Sequence, residues 1–136
     1  MTQEERAKKI ATLLHRNQTR HDGKTPYIVH PEAVAKQMDT DEEKAVAWLH
    51  DVIEDCGVTV QDLLALDITQ TVANAVLVLT KKEGWESYLT YILGVRAIEL
   101  TRKVKIADIK HNMIGGEMFQ TTYDKYMLAL YILESK

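Results

Sequence analysis

The chain is poor in the residues that staple or interrupt a fold: its 136 residues include one cysteine, two prolines, six glycines and one phenylalanine. With Cys56 alone, no disulfide can close within the chain, which argues against a disulfide-dense secreted scaffold and agrees with a reducing compartment. Proline and glycine are too few for a collagen-like or linker-rich protein. No apolar run approaches the roughly 20 residues of a membrane helix, and the opening MTQEERAKKI lacks the apolar centre of a secretory leader. The expectation is a cytoplasmic protein that does not engage a membrane. An excess of positive charge is missing too. Seventeen Lys and Arg against twenty Asp and Glu give a formal charge of −3. Nucleic acid is therefore not an expected partner, and an anionic ligand must be gripped by local groups.

What is present is the composition of a packed globule, 46% hydrophobic and 27% charged, at a length that suits one domain over 1–136. Apolar residues recur at helical spacing: Ile10, Leu13 and Leu14; Ala45, Val46, Leu49, Val52 and Ile53; Leu128, Leu130, Tyr131 and Ile132. The fold class is all-α. Thr2 ahead of Glu4 and Glu5, Asp41 ahead of Glu42 and Glu43, and Thr59 ahead of Asp62 mark helix starts. They predict helices near 2–16, 41–55 and 59–66. Pro31 fits the first turn of a helix over 31–38, after a loop from 17 to 30. Val72 to Thr80 is β-branched, yet its helical surroundings favour helix. Helices near 86–93, 97–113 (stopped by Gly115 and Gly116) and 122–135 complete the set.

The segment WLHDVIED, 48 to 55, gathers imidazole and carboxylate groups of the kind that hold manganese, iron or zinc. On a continuous helix His50 and Asp51 stand about 100° apart, close enough for both to reach a cation beside it. Glu54 falls on the same flank, and Asp55 lies four residues after Asp51. Such groups need either water or a shared cation. By itself the cluster also reads as a solvated acidic helix face with an incidental histidine.

Three stretches taken together narrow the reading: RHDGKTPYIVHP at 20 to 31, LHDVIED at 49 to 55 and VKIADIKHN at 104 to 112. They resemble the HD-domain hydrolases, specifically the RelA/SpoT-type domains that remove the 3′-pyrophosphate of the alarmone ppGpp. The resemblance covers roughly residues 6 to 135, since TKKEGWESYLTYI and DKYMLAL also look like later helices of short stand-alone members. It implies a single compact helical bundle and a divalent metal, foremost Mn²⁺ with Fe²⁺ or Zn²⁺ as alternatives. It also implies metal ligands at His30, His50, Asp51 and Asp108, and water-assisting carboxylates at Glu54 and Asp55. Asn112 matches a substrate- or water-binding asparagine, and Arg20, with Lys24 in the same loop, matches the arginine that faces phosphate. His111, Lys81 and Lys82 are read as supporting or solvated residues, and Tyr88, Tyr91 and Tyr126 as packing residues before stacking ones. A nucleophilic Cys56 has no group beside it in sequence to stabilise a thiolate.

Three departures bear on substrate. The loop GKTPY is one residue longer than the family's, Ile109 stands where an arginine or lysine is usual, and most of the insertion before VKIAD is missing. The leading expectation is a metal-dependent hydrolase of ppGpp or a related small nucleotide. The alternatives are an HD-type phosphatase of another nucleotide and a nucleotide-binding module without turnover. A homo-oligomer is compatible with any of these.

Overall fold

The computed structural model describes residues 1–82, 87–114 and 118–135, and these form nine α-helices with no strand among the described residues. In order they are α1 (Gln3–Leu14), α2 (Val29–Lys36), α3 (Asp41–Leu49), α4 (Val52–Cys56), α5 (Val60–Ala65), α6 (Gln70–Val78), α7 (Tyr88–Arg96), α8 (Glu99–Asn112) and α9 (Gln120–Glu134). None is long and apolar enough to cross a membrane.

Local chemistry sets the starts. Thr2, Thr40, Thr59, Thr69 and Ser87 each accept a backbone N–H of the first turn through the side-chain hydroxyl. At Thr40 and Thr59 the reciprocal bond from Glu43 or Asp62 closes a capping box. Asp41 has a different task from the one its sequence position suggests. Thr40 caps α3, while the Asp41 carboxylate accepts from Glu4 N at 2.9 Å and Gln3 N at 3.1 Å, so the start of α3 caps the start of α1.

α3 is the central element. Ala45, Val46, Ala47, Trp48 and Leu49 are all buried, and α1, α2, α6 and α8 pack around them. α8 in turn joins the pair α7 and α9, and α5 lies on α6. Around α3 the core is built from Ala7, Ala11, Val34, Leu63, Val72, Val76, Ile92, Val104 and Ile109.

Two predicted helices are corrected. The helix expected over 41–55 is broken: α3 ends at Leu49, His50 and Asp51 form a turn, and α4 begins at Val52. The His50 ring takes the Ala47 carbonyl at 2.6 Å, and that oxygen is the one a continuous helix would offer to the Asp51 N–H. The helix expected over 31–38 runs from Val29, two residues earlier. Pro31 still sits in the first turn, where a missing N–H costs nothing. The β-branched stretch is helical from Val72 to Val78, within α6, and Leu79 caps it. The stop expected at Gly115 and Gly116, and the start near residue 86, lie outside the described residues.

Two truncations separate capping from packing. Thr40→Ala removes the α3 cap and is expected to lower unfolding free energy by about 1 kcal/mol. Leu49→Ala empties a fully buried site and is expected to lower it by roughly 2–5 kcal/mol. Urea unfolding followed by circular dichroism measures both.

Candidate functional site

Four polar side chains converge where α2, the α3–α4 break and α8 meet. His30, in the first turn of α2, is 1% exposed, His50 is 3% exposed and Asp108, on α8, is 4% exposed. His30 Nε2 lies 2.7 Å from Asp108 Oδ1 and 3.9 Å from Asp51 Oδ2. His50 Nε2 lies 3.0 Å from Asp51 Oδ2, 3.3 Å from Asp108 Oδ1 and 3.3 Å from His30 Nε2. The break after Leu49 lets the adjacent His50 and Asp51 face one point.

The donor set suits a divalent cation. Ligand atoms about 2.1 Å from an ion stand roughly 3 Å apart when they are neighbours around it, and the separations given above run from 2.7 to 3.9 Å. His30, His50 and Asp51 each bring one ligand atom into a group within 4.8 Å. The far side of each ring is engaged as well. His50 Nδ1 donates to the Ala47 carbonyl at 2.6 Å, which leaves Nε2 facing the centre. His30 Nδ1 lies 2.7 Å from His111 Nδ1, and the two rings stack.

The electrostatics favour positive charge at this point. Burial opposes a charge on His50, yet the Asp51 and Asp108 carboxylates hold its imidazole well above the usual histidine range. Burial would likewise raise both carboxylates, but His50 pulls Asp51 down, and Lys105 and His50 pull Asp108 well below the usual range. His30, whose largest influence is burial, is pushed down.

The cluster lies in a cleft of about 740 Å³, lined among others by Arg20, Tyr27, Glu54, Asp55, Lys105 and Asn112. Glu54 and Asp55 face this cleft from α4, and burial together with the Asp51 charge raises both above the usual carboxylate range. Glu54 Oε1 is fixed by the Lys81 N–H at 3.0 Å. Arg20 donates to Asn112 Oδ1 at 3.0 Å, and Asn112 Nδ2 donates to Asp108 Oδ1 at 3.2 Å. Both ends of the Asn112 amide are thus in use. Lys24 is exposed on the loop and does not line the cleft.

Two contributors had not been selected from the sequence. Tyr27 donates its phenol to Asp51 Oδ2, and burial with the facing Asp51 charge raises that phenol, which keeps it protonated. Lys105 Nζ donates to Asp108 Oδ2 at 2.9 Å. Both sit inside motif segments already quoted, PYIVH and VKIAD, and Lys105 precedes Asp108 by three residues, the helical neighbour spacing. Cys56 is half-buried with its thiol pushed up by burial, the opposite of an activated nucleophile. Tyr91 is a core residue at 5% exposure, whereas Tyr126 lines the cleft.

No family model matches the chain. Over 118 residues it is 36% identical to the bifunctional (p)ppGpp synthase/hydrolase SpoT of Escherichia coli, covering 76% of this chain and 16% of that protein. Over 58 residues it is 52% identical to the guanosine-3′,5′-bis(diphosphate) 3′-pyrophosphohydrolase of Vibrio cholerae, covering 40% of this chain and 8% of that protein. The chain therefore spans 8 to 16% of the length of these curated relatives. A solved structure described as a metazoan ortholog of SpoT that hydrolyzes ppGpp superposes with a TM-score of 0.78 at 20% identity, covering 98% of this chain and 84% of that one. The chain thus has the all-helical fold of that hydrolase. In sequence it is similar to the bacterial ppGpp pyrophosphohydrolases, as an HD-domain alarmone hydrolase would be.

Asp108→Ala would strand the Lys105 ammonium, whose side chain is only 16% exposed. Loss of one partner from a buried ion pair is expected to cost about 3–5 kcal/mol, read as a lower urea midpoint for protein kept in chelator.

Proposed function

We propose that the chain is a divalent-metal-dependent phosphohydrolase that removes the 3′-pyrophosphate of ppGpp or a closely related nucleotide. The observation that carries this reading is the buried cluster of His30, His50, Asp51 and Asp108 at the wall of a cleft whose rim holds Glu54 and Asp55. Similarity to proteins named as ppGpp pyrophosphohydrolases supports the substrate. The mixed imidazole and carboxylate donors suit Mn²⁺, Fe²⁺ or Zn²⁺ alike, and the resemblance to alarmone hydrolases puts Mn²⁺ first. A cation held by these four residues would supply Lewis acidity and lower the pKa of water to about 7.

The chain's own residues supply the rest. Glu54, oriented by the Lys81 N–H and raised by burial, is a carboxylate whose proton affinity lies nearer neutrality than usual, as a general base requires. Asp55, one residue on, is raised by the same causes and shares the task of orienting or deprotonating water. Water adds to the phosphorus, the bond to the ribose 3′ oxygen breaks, and that oxygen takes up a proton as pyrophosphate leaves. Arg20 is held by Asn112 and lies over the Tyr27 ring, so its guanidinium fork meets phosphate with little freedom left to lose. Lys24, on the same loop but outside the cleft lining, adds only a point charge at the edge of the cleft. Asn112 keeps Arg20 in register with Asp108.

The partner is a small nucleotide rather than nucleic acid, and the protein works in the cytoplasm, where a free Cys56 stays reduced. A second reading is hydrolysis of another nucleotide. It is favoured by Ile109, which is fully buried and so brings no cation to the cleft at the position where the resembled family has one.

Pyrophosphate release from ppGpp with added Mn²⁺ tests the proposal. Wild-type turnover is expected to cease with chelator and return with Mn²⁺, and Asp51→Ala is expected to be inactive. Glu54→Gln is expected to lose about 100-fold or more in kcat. A wild type that binds Mn²⁺ but leaves ppGpp intact would sink the substrate assignment and favour the second reading. One that hydrolyses nothing in a nucleotide panel would favour a binding module.

A further inference from the structure

The two oxygens of Asp108 are committed to different neighbours. Oδ1 faces the histidines, 2.7 Å from His30 Nε2 and 3.3 Å from His50 Nε2, and accepts from Asn112 Nδ2 at 3.2 Å. Oδ2 accepts from Lys105 Nζ at 2.9 Å. Lys105 is itself locked from behind. Its ammonium lies 5.3 Å from the centroid of the Tyr91 ring, and Tyr91 is tethered by its hydroxyl, which donates to the Leu79 carbonyl at 2.5 Å. The side chains of Lys105 and Asp108 are 16% and 6% exposed, so water screens the pair poorly. Lys105 also lines the cleft, on the same chamber as Asp51, Glu54 and Asp108.

Two consequences follow from elementary electrostatics. A carboxylate oxygen that accepts from a charged ammonium group is the poorer ligand for a cation, so the oxygen facing the histidines is the one presented to it. A fixed positive charge in a poorly screened site also opposes any second positive charge placed there. We propose that Lys105 is a positioning residue that commits Asp108 to the divalent cation through Oδ1 alone and keeps that cation bound less tightly than the four donors would hold it unaided. The proposal rests on the metal site argued above. Its chemical sense is that a cation less neutralised by carboxylate retains more charge for polarising water and phosphate.

A purely structural lysine and this positioning lysine predict opposite changes in metal affinity. If Lys105 only supports the fold, its loss disorders Asp108 and weakens metal binding. If it acts as proposed, its loss frees Oδ2, removes the opposing charge and tightens binding. Mn²⁺ titration calorimetry on the whole chain, with unfolding midpoints recorded beside it, distinguishes the two. Lys105→Met is expected to bind Mn²⁺ on the order of tenfold more tightly than wild type while kcat falls and KM moves less. Lys105→Arg keeps the charge and the bond to Asp108, and is expected to return affinity toward wild type. Should Lys105→Met fail to fold, Lys105→Gln, which drops the charge but can still donate to Oδ2, is expected to tighten Mn²⁺ binding in the same direction by a smaller factor. Unchanged or weaker Mn²⁺ binding by a folded neutral variant overturns the proposal. If wild type and Asp51→Ala bind Mn²⁺ alike, the metal site itself falls and the proposal with it, an outcome recognisable before any lysine variant is compared.

Discussion

The arrangement of the cleft depends on one constraint: Asp51 and Asp108 are held beside His30 and His50 where little water reaches them, their side chains 18% and 6% exposed. Carboxylates in that position are costly unless positive charge is shared with them. In the protein alone the sharing falls to His50 and Lys105, which accounts for the direction in which Asp51, Asp108, His50 and Lys105 are shifted against the pull of burial. The helices can be understood as the means of meeting this constraint. α3 is buried along its whole final stretch and so fixes where His50 emerges, α2 presents His30 from its first turn, and α8 presents Asp108 from its buried face.

Each group that faces the centre is also gripped from outside. His111 stands behind His30, the Ala47 carbonyl behind His50, Tyr27 behind Asp51, and Lys105 with Asn112 behind Asp108. Side chains fixed at both ends have little rotamer freedom left, so geometry is settled before a ligand arrives and the ordering cost is met during folding. The chain Arg20–Asn112–Asp108 extends this grip to the face where an anion would enter.

The helices were largely legible in the sequence because their signals are local. Thr2 and Thr59 cap the helices they were expected to cap, and the apolar period of α3 marks the buried face. The break at His50 was not legible, because the apolar period runs on through Val52 and Ile53 and hides the competition between a side chain and the backbone for one carbonyl. Asp41 misled for a related reason: a residue at a helix start normally serves its own helix, whereas here it serves a neighbour 37 and 38 positions away in sequence. The grouping of His30, His50, Asp51 and Asp108 was reached through resemblance, since spacing alone cannot bring residues 30 and 108 together. Lys105 and Tyr27 escaped attention because lysine and tyrosine are ordinary on helices and loops, and only a buried carboxylate beside each makes them unusual.

The interruption between α3 and α4 also divides the polar residues between two mechanical parts. His50 ends a helix locked into the core, while Glu54 and Asp55 ride on a separate five-residue helix that closes at Gly57 in the left-handed conformation. The short piece is pinned to the core at Val52, so its exposed end, with Glu54 and Asp55, is the part free to vary. Substitutions on the exposed side of α4 can therefore retune how water and phosphate are met, while His30, His50 and Asp108 keep the anchoring they have from α2, α3 and α8.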